Sequence, residues 1–168
     1  RDTTVALKVD GATTGSSGTT STFTITHSSL DFVKIHDTAA VDLDPNDEWN
    51  VAYQMTADKT VDLYAHGYDQ WGNYISPESV TWIKVSGEAT GTFSPATGVT
   101  STWDAALEGE AVLGADHASA SDDSTGTITV IPGVATEFIV TFGEQSPVIA
   151  GEEFTVTVRA RDSDTNTA

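Results

Sequence analysis

With no cysteine among its 168 residues, this chain can do chemistry only through carboxylates, imidazoles, amines, hydroxyls and aromatic rings. Thiolate metal sites and a disulfide framework are excluded. Two acidic clusters have the composition of a hard-cation site. In residues 41–49, Asp42, Asp44 and Asp47 set oxygen ligands at closely spaced positions that suit Ca2+. That run lacks the glycine and the closing glutamate of an EF-hand loop, so a solvated loop is its plainer reading. The second cluster, Asp162, Asp164 and Asn166, has the D-x-D-x-N start of many calcium loops. It falls near an expected domain junction, where Ca2+ would stiffen tandem β-modules. Calcium is therefore an optional ligand on this reading, and no cofactor is required.

The remaining candidates are aromatic. Val61, Leu63 and Ala65 alternate with Asp62, Tyr64 and His66, and Tyr68 continues the second set. Successive side chains on a strand point to opposite faces, so the apolar set is expected inward and Tyr64, His66 and Tyr68 outward. With Trp71 just beyond, such a ladder would stack on surface glycans or on a partner protein. The plainer alternative is cross-strand pairing beneath an inserted segment.

For catalysis the residues offer little. His27, His36, His66 and His117 are scattered and show no His-x-x-x-His spacing for zinc. Nucleophile elbow, phosphate loop and dinucleotide fingerprint are all missing from the sequence. Lys34 and Lys84 are formally available for an isopeptide link, which would need burial beside an amide and a carboxylate. No catalytic residue is assigned, and the chain reads as a non-enzyme.

Charge narrows the partners. Twenty-five acidic against 7 basic residues give a net charge of −18. Such a surface repels phosphate backbones and anionic lipid, so nucleic acid and direct membrane insertion are disfavoured. No apolar run is long enough for a spanning helix.

The elements that must carry these residues are strands. Period-two alternation recurs in 61–67, 127–130 and 154–160, each bounded by Gly, Pro, Asn or Asp. Residues 103–109 carry a weak helical hint and read as strand or turn. Trp82, with Val80 on the same face, is expected between two sheets. The fold class is all-β, a sandwich.

Self-similarity organises the strands. Leu7 falls on Leu113 and Phe32 on Phe138, both with an offset of 106, while Asp69 falls on Asp162 and Asn73 on Asn166 with an offset of 93. The difference implies about 13 extra residues near 42–53 in the middle copy. Hence 1–29 is read as the C-terminal strands of one repeat, 30–133 as a complete repeat, and 134–168 as the N-terminal strands of another. Where the middle copy has Gly72, the last has Thr165. A glycine there suggests a positive φ, so either Asn166 takes that conformation or the turn differs.

Asp69-Gln-Trp-Gly72-Asn73, Val80-Thr-Trp82, Gly91-Thr-Phe93-Ser-Pro95 and Ala150-Gly151-Glu-Glu-Phe154-Thr-Val-Thr-Val form a strand-and-turn pattern over nearly the whole chain. It resembles the bacterial immunoglobulin-like repeats of invasin- and intimin-type adhesins. The resemblance implies tandem immunoglobulin-like β-sandwich domains at the cell surface or outside the cell, in an adhesin stalk, surface layer or filament. Their partners would be neighbouring repeats or other subunits of an assembly. The alternative is a carbohydrate- or protein-binding accessory module of a secreted multidomain protein.

Overall fold

A computed structural model describes residues 3–5, 8–10, 17–19, 23–40, 44–143 and 150–167. Strand pairing among them stays within three stretches of chain. The first holds two short antiparallel pairs, β1 (Thr3–Val5) with β4 (Phe23–Ile25) and β2 (Lys8–Asp10) with β3 (Ser17–Thr19).

The middle stretch is a two-sheet sandwich. It runs through β5 (Leu30–His36), a 3-10 turn at Pro45–Asp47, β6 (Tyr53–Thr56), β7 (Thr60–Asp69), β8 (Tyr74–Pro77) and β9 (Val80–Ser86). Then come β10 (Thr90–Ser94), β11 (Thr97–Gly98), β12 (Thr100–Leu107), β13 (Gly109–Asp116), β14 (Asp123–Ser124) and β15 (Ile128–Ile131). One sheet has the order β10-β12-β7-β5 with β8 beside β7, and the other β11-β9-β13-β15-β6 with β14 beside β13. β15 and β6 pair in parallel, and the other pairs among the described strands are antiparallel.

Alternation explains why these strands face each other. Val33, Ile35, Leu63, Ala65, Trp103 and Ala105 of the first sheet meet Val80, Trp82, Ala111, Leu113, Ile128 and Val130 of the second in one buried cluster. Each large apolar side chain so buried contributes roughly 1.5–3 kcal/mol. Residues 103–107 are strand, and Trp103 is fully buried. Gly91 lies where an added Cβ would come within 2.6 Å of the Trp103 indole nitrogen, so only a glycine lets that ring lie against β10.

The third stretch is a hairpin of β16 (Glu137–Phe142) and β17 (Val156–Arg161). Its pairs Phe138–Ala160, Val140–Val158 and Phe142–Val156 fall on one face, because directly opposed residues in an antiparallel pair share a side. That face is bare: Phe138 is 70% exposed and Val140 49%.

Pair registers test the sequence offsets. Val5–Phe23 and Lys8–Thr19 match Ala111–Ile128 and Gly114–Ser124 at offsets of 106 on the first strand and 105 on the second. The Phe32-to-Phe138 match is corrected. Val33 pairs with Gly67 while Phe138 pairs with Ala160, so with Gly67 on Ala160 the inner position Val33 falls on Phe138. A one-residue slip exchanges faces. Phe32 instead stacks on Tyr68 across the outer face.

Candidate functional site

The most densely bonded polar groups are two aspartates at strand ends. Asp69 closes β7, and its side chain turns back on the following residues in an Asx turn. The carboxylate accepts from Trp71 N at 2.9 Å, from Asn73 N at 2.9 Å, and on both oxygens from Asn73 Nδ2 at 3.1 and 3.0 Å. A further donor, Ser28 N at 2.9 Å, comes from the segment that leads into β5. Burial would raise the Asp69 pKa, but the Asn73 amide and the ring of backbone N–H groups outweigh it and hold the carboxyl far below the usual carboxylate range.

Asp162 repeats the arrangement after β17. It accepts from Gly133 N at 2.7 Å, Asn166 N at 2.8 Å, Asn166 Nδ2 at 2.9 Å and Asp164 N at 3.0 Å. Its pKa is lowered too, burial again being outweighed by the Asn166 amide and the backbone donors. The turns agree in backbone as well. Gly72 has φ +80° and Thr165 has φ +73°, so Thr165 itself takes the left-handed conformation, and neither expected escape is used. For a β-branched residue that costs about 1–2 kcal/mol.

Asn166 then reaches into the middle sandwich. Its Oδ1 accepts from Glu108 N and its Nδ2 donates to Ala106 O, both at 2.9 Å. Counting Gly133 N, three hydrogen bonds tie the β17 turn to the sandwich and to the segment leaving it. The two junctions stand at opposite poles. Ser28 is bonded at the Asp69 end of β7, whereas Ala106 lies near the end of β12 and Glu108 just after it, and Asp104 of β12 pairs with Thr60 at the other end of β7. Ten residues of β7 separate them by roughly 30 Å.

This geometry bears on the cation candidates. Asp162 and Asn166 come together, but as acceptor and donor of each other, with N–H groups where a cation would need open lone pairs. Asp164 supplies a backbone donor to the same carboxylate. Asp44 accepts from Asn46 N and Nδ2, which lowers its pKa, and caps the 3-10 turn. Asp42 and the side chain of Asp47 lie outside the described residues. Among the described residues no three acidic or histidine side chains converge on a metal position.

The aromatic set lies on the outer face but is largely covered. His66 and Tyr68 are buried, Tyr64 is partly buried, and Trp71 is 76% exposed. The outer face of β5 and β7 is closed by aromatic packing. Phe32 stacks on Tyr68 with centroids 5.6 Å apart, while Tyr74 meets His66 and Tyr68 edge-on. The Tyr68 hydroxyl and His36 Nε2 share a 2.9 Å hydrogen bond. Two of the scattered histidines thus become neighbours, His36 and His66, with ring centroids 5.0 Å apart.

The acidic segment before β6 is not simply a solvated loop. Trp49 is buried in the core, with its N–H donating to Ile35 O and its carbonyl accepting from Gly126 N. Pro45 lies against Gly72, and Glu48 pairs with Lys34. Lys34 also reaches Asp123 Oδ1 at 3.3 Å. Burial disfavours the ammonium, but Glu48 and Asp123 outweigh it and raise the Lys34 pKa. A firmly protonated amine is no nucleophile, so these groups form an ion pair rather than a cross-link.

Of the bracket residues, Asp162 and Asn166 stood out in the sequence, though for another chemistry. Asp69 and Asn73 have the same spacing and enter the sequence reading only as an alignment of repeats. The remaining partners, at Ser28, Gly133, Ala106 and Glu108, bond through backbone and leave no residue-type signal.

No family model and no curated protein sequence matches the chain. Among solved structures it is similar over 99% of its length to domains 4–9 of the surface layer protein SbsC, at 14% identity and a TM-score of 0.39, and it spans 25% of that chain. No helix among the described residues is long and apolar enough to cross a membrane.

Proposed function

We propose that the chain is a structural, non-catalytic segment of an extracellular surface protein, in which immunoglobulin-like sandwiches follow one another in tandem with fixed junctions. The observation that carries this reading is the paired bracket. Asp69 binds the segment entering the middle sandwich, and Asp162 with Asn166 binds the segment leaving it, at opposite poles. Junctions at opposite ends extend an array rather than fold it back. Residues 1–29, 30–133 and 134–168 read as parts of three such units. The hairpin registers of β1–β4 match those of β13–β15, and the bare face of β16 and β17 carries apolar residues at positions that the middle unit covers with its second sheet. The acidic surface keeps such an array soluble and favours neighbouring repeats over anionic partners.

Small-angle scattering on the whole chain tests the fixed junction. One rigid shape is expected for the native chain, and a broader distribution of maximum dimension for the Asp162→Ala, Asn166→Ala double variant. Equal flexibility in both would end the reading.

A second reading, a carbohydrate- or protein-binding accessory module, rests on Trp71, whose indole stands in solvent at the tip of the β7–β8 turn. It requires that Trp71→Ala abolish retention of the chain on an immobilised glycan, with the fold intact.

A further inference from the structure

The hairpin of β16 and β17 has its inner face laid open. Phe138, Phe142 and Val158 are each more than half exposed, as is Phe154 just before β17, whose ring lies 6.4 Å from that of Phe142. Among the described residues no other strand pairs with β16 or β17. With Val140 and Val156, the patch exposes on the order of 600 Å² of apolar surface, a size that marks a contact site.

The middle unit shows what covers such a face. Val33, Ile35 and Leu63 hold the same register positions in β5 and β7, and they share one core with Ala111, Ile128 and Val130 of β13 and β15. Strands with the register of β13 and β15 recur at the other end of the chain. The pairs Thr3–Ile25 and Val5–Phe23 of β1 and β4 stand for Gly109–Val130 and Ala111–Ile128. Ile25 is 52% exposed where Val130 is buried. The chain thus carries complementary halves of a sandwich at opposite poles of the middle unit, roughly 30 Å apart, where they cannot meet within one copy.

We propose that copies of this chain join head to tail, the β1–β4 pair of one copy packing on the bare face of β16 and β17 of the next to close a composite sandwich. This rests on the tandem reading above and names the occupant of the exposed face.

Side-chain volume supports the match. Neither half brings strands equivalent to β9 and β12, which give Trp82 and Trp103 to the middle core. The halves are bulkier instead. Phe138 stands where the middle unit has Val33, and Phe23 where it has Ile128. Phe154 falls on Val61 at the offset of 93. Val140 for Ile35 and Val156 for Leu63 are each smaller by a methylene group. A core tolerates such exchanges when its total volume is kept, and the phenylalanines take up space that the two indoles leave.

The brackets fit the same arrangement. Asp162 and Asn166 join each middle unit to the composite unit after it, and the Asp69–Ser28 bond joins that composite to the next middle unit. Growth therefore adds one new interface and no new joint. The two surfaces differ and lie at opposite poles, so the contact propagates in a line. Charge opposes it at low salt, since each copy carries −18, although β16 and β17 hold Arg159 and Arg161 against Glu137 alone. Association should strengthen as salt rises.

Sedimentation velocity on the full chain at raised ionic strength tests this. Mean mass should climb with concentration, with a midpoint of roughly 1–100 µM for an interface at the small end of the specific range. Phe138→Asp and Ile25→Asp, both at exposed sites outside the middle core, should each weaken association by at least about tenfold. Mixed together, the two variants should regain one contact and stop at a dimer, since one keeps a working hairpin and the other a working β1–β4 pair. A native chain that stays monomeric would overturn the proposal; if its scattering is still that of one rigid shape, the tandem reading stands. Association that Ile25→Asp leaves intact means that two hairpins pair face to face, and overturns it too. So does a mixture of variants that stays monomeric. Should either variant fail to fold, NMR on mixed isotope-labelled and unlabelled native chain decides. Contacts between copies from Ile25 to the hairpin face support the joint; contacts among hairpin residues alone, or none, overturn it.

Discussion

Replacing Asn166 by alanine removes the side chain that ties the β17 turn to the middle sandwich. The side chain is buried and spends its two functional ends on Glu108 N and Ala106 O, with Nδ2 shared with Asp162. Truncation leaves one backbone donor and one acceptor of the sandwich without partners. At about 1 kcal/mol of net stabilisation per bond, the junction should lose about 2 kcal/mol, or roughly thirtyfold in its opening equilibrium. Exchange at Glu108 would prove little, since its partner is removed. Gly133 is the informative amide. Its bond runs to Asp162 Oδ2, which the substitution leaves in place. If the bracket opens as a unit, protection at Gly133 falls by about the same thirtyfold while amides of the β13–β9 ladder are unaffected. If Gly133 keeps its native protection, the three crossing bonds are independent contacts, and the junction is not the rigid element proposed.

The turn at Thr165 offers the opposite sign. Thr165→Gly relieves the left-handed strain at φ +73° and, after glycine's entropic cost, should raise stability by about 0.5–1 kcal/mol in urea unfolding. Gly91→Ala drives a methyl to 2.4 Å from Asp104 O and should cost about 1–3 kcal/mol, read as a lower melting temperature. Asp69 makes acid destabilising. Its folded pKa is depressed, so its contribution is complete above the ordinary carboxylate value of 3.8 and fades as pH falls below it, and Asp69→Ala should flatten the melting-temperature slope there. Calcium followed by chelator should leave the melting curve unmoved, because N–H groups fill the Asp162 carboxylate. A clear calcium-dependent rise would refute that assignment.

Period-two alternation was enough to give the all-β class and to place Val80, Trp82, Leu63 and Ala65 inside, because a strand exposes one face per residue parity. The same rule reaches its limit one position later along β7. It sends His66 and Tyr68 outward correctly, yet outward is not exposed where aromatic neighbours close the face. Tyr74 and His36, which complete that closure, lie 8 and 30 residues from His66 and share no pattern with it. Trp49 shows the converse. Within an acidic run its ring reads as an isolated apolar residue, and only the fold reveals that Ile35 and Gly126 hold it in the core.

The slip between Phe32 and Phe138 has the most general physical cause. Residue identity suggested the match, but strand position is fixed by which side of the pleat a residue occupies, and neighbours on a strand occupy opposite sides. Aligning pairs rather than residues sets Val33 on Phe138. The same offset of 105 carries Ser28 onto Gly133, the two N–H donors to the bracket aspartates. Two independent measures, a ladder register and a side-chain bond, thus agree on an alignment that similarity of letters missed. It follows that the spacing from the bracket donor to β5 equals that from Gly133 to β16. The difference in length falls between β5 and β7, where the middle stretch holds Pro45, Glu48 and Trp49. The variable segment meets the bracket turn at one point, Pro45 against Gly72, while the Ser28 and Asn73 groups that bond Asp69 come from residues outside that segment.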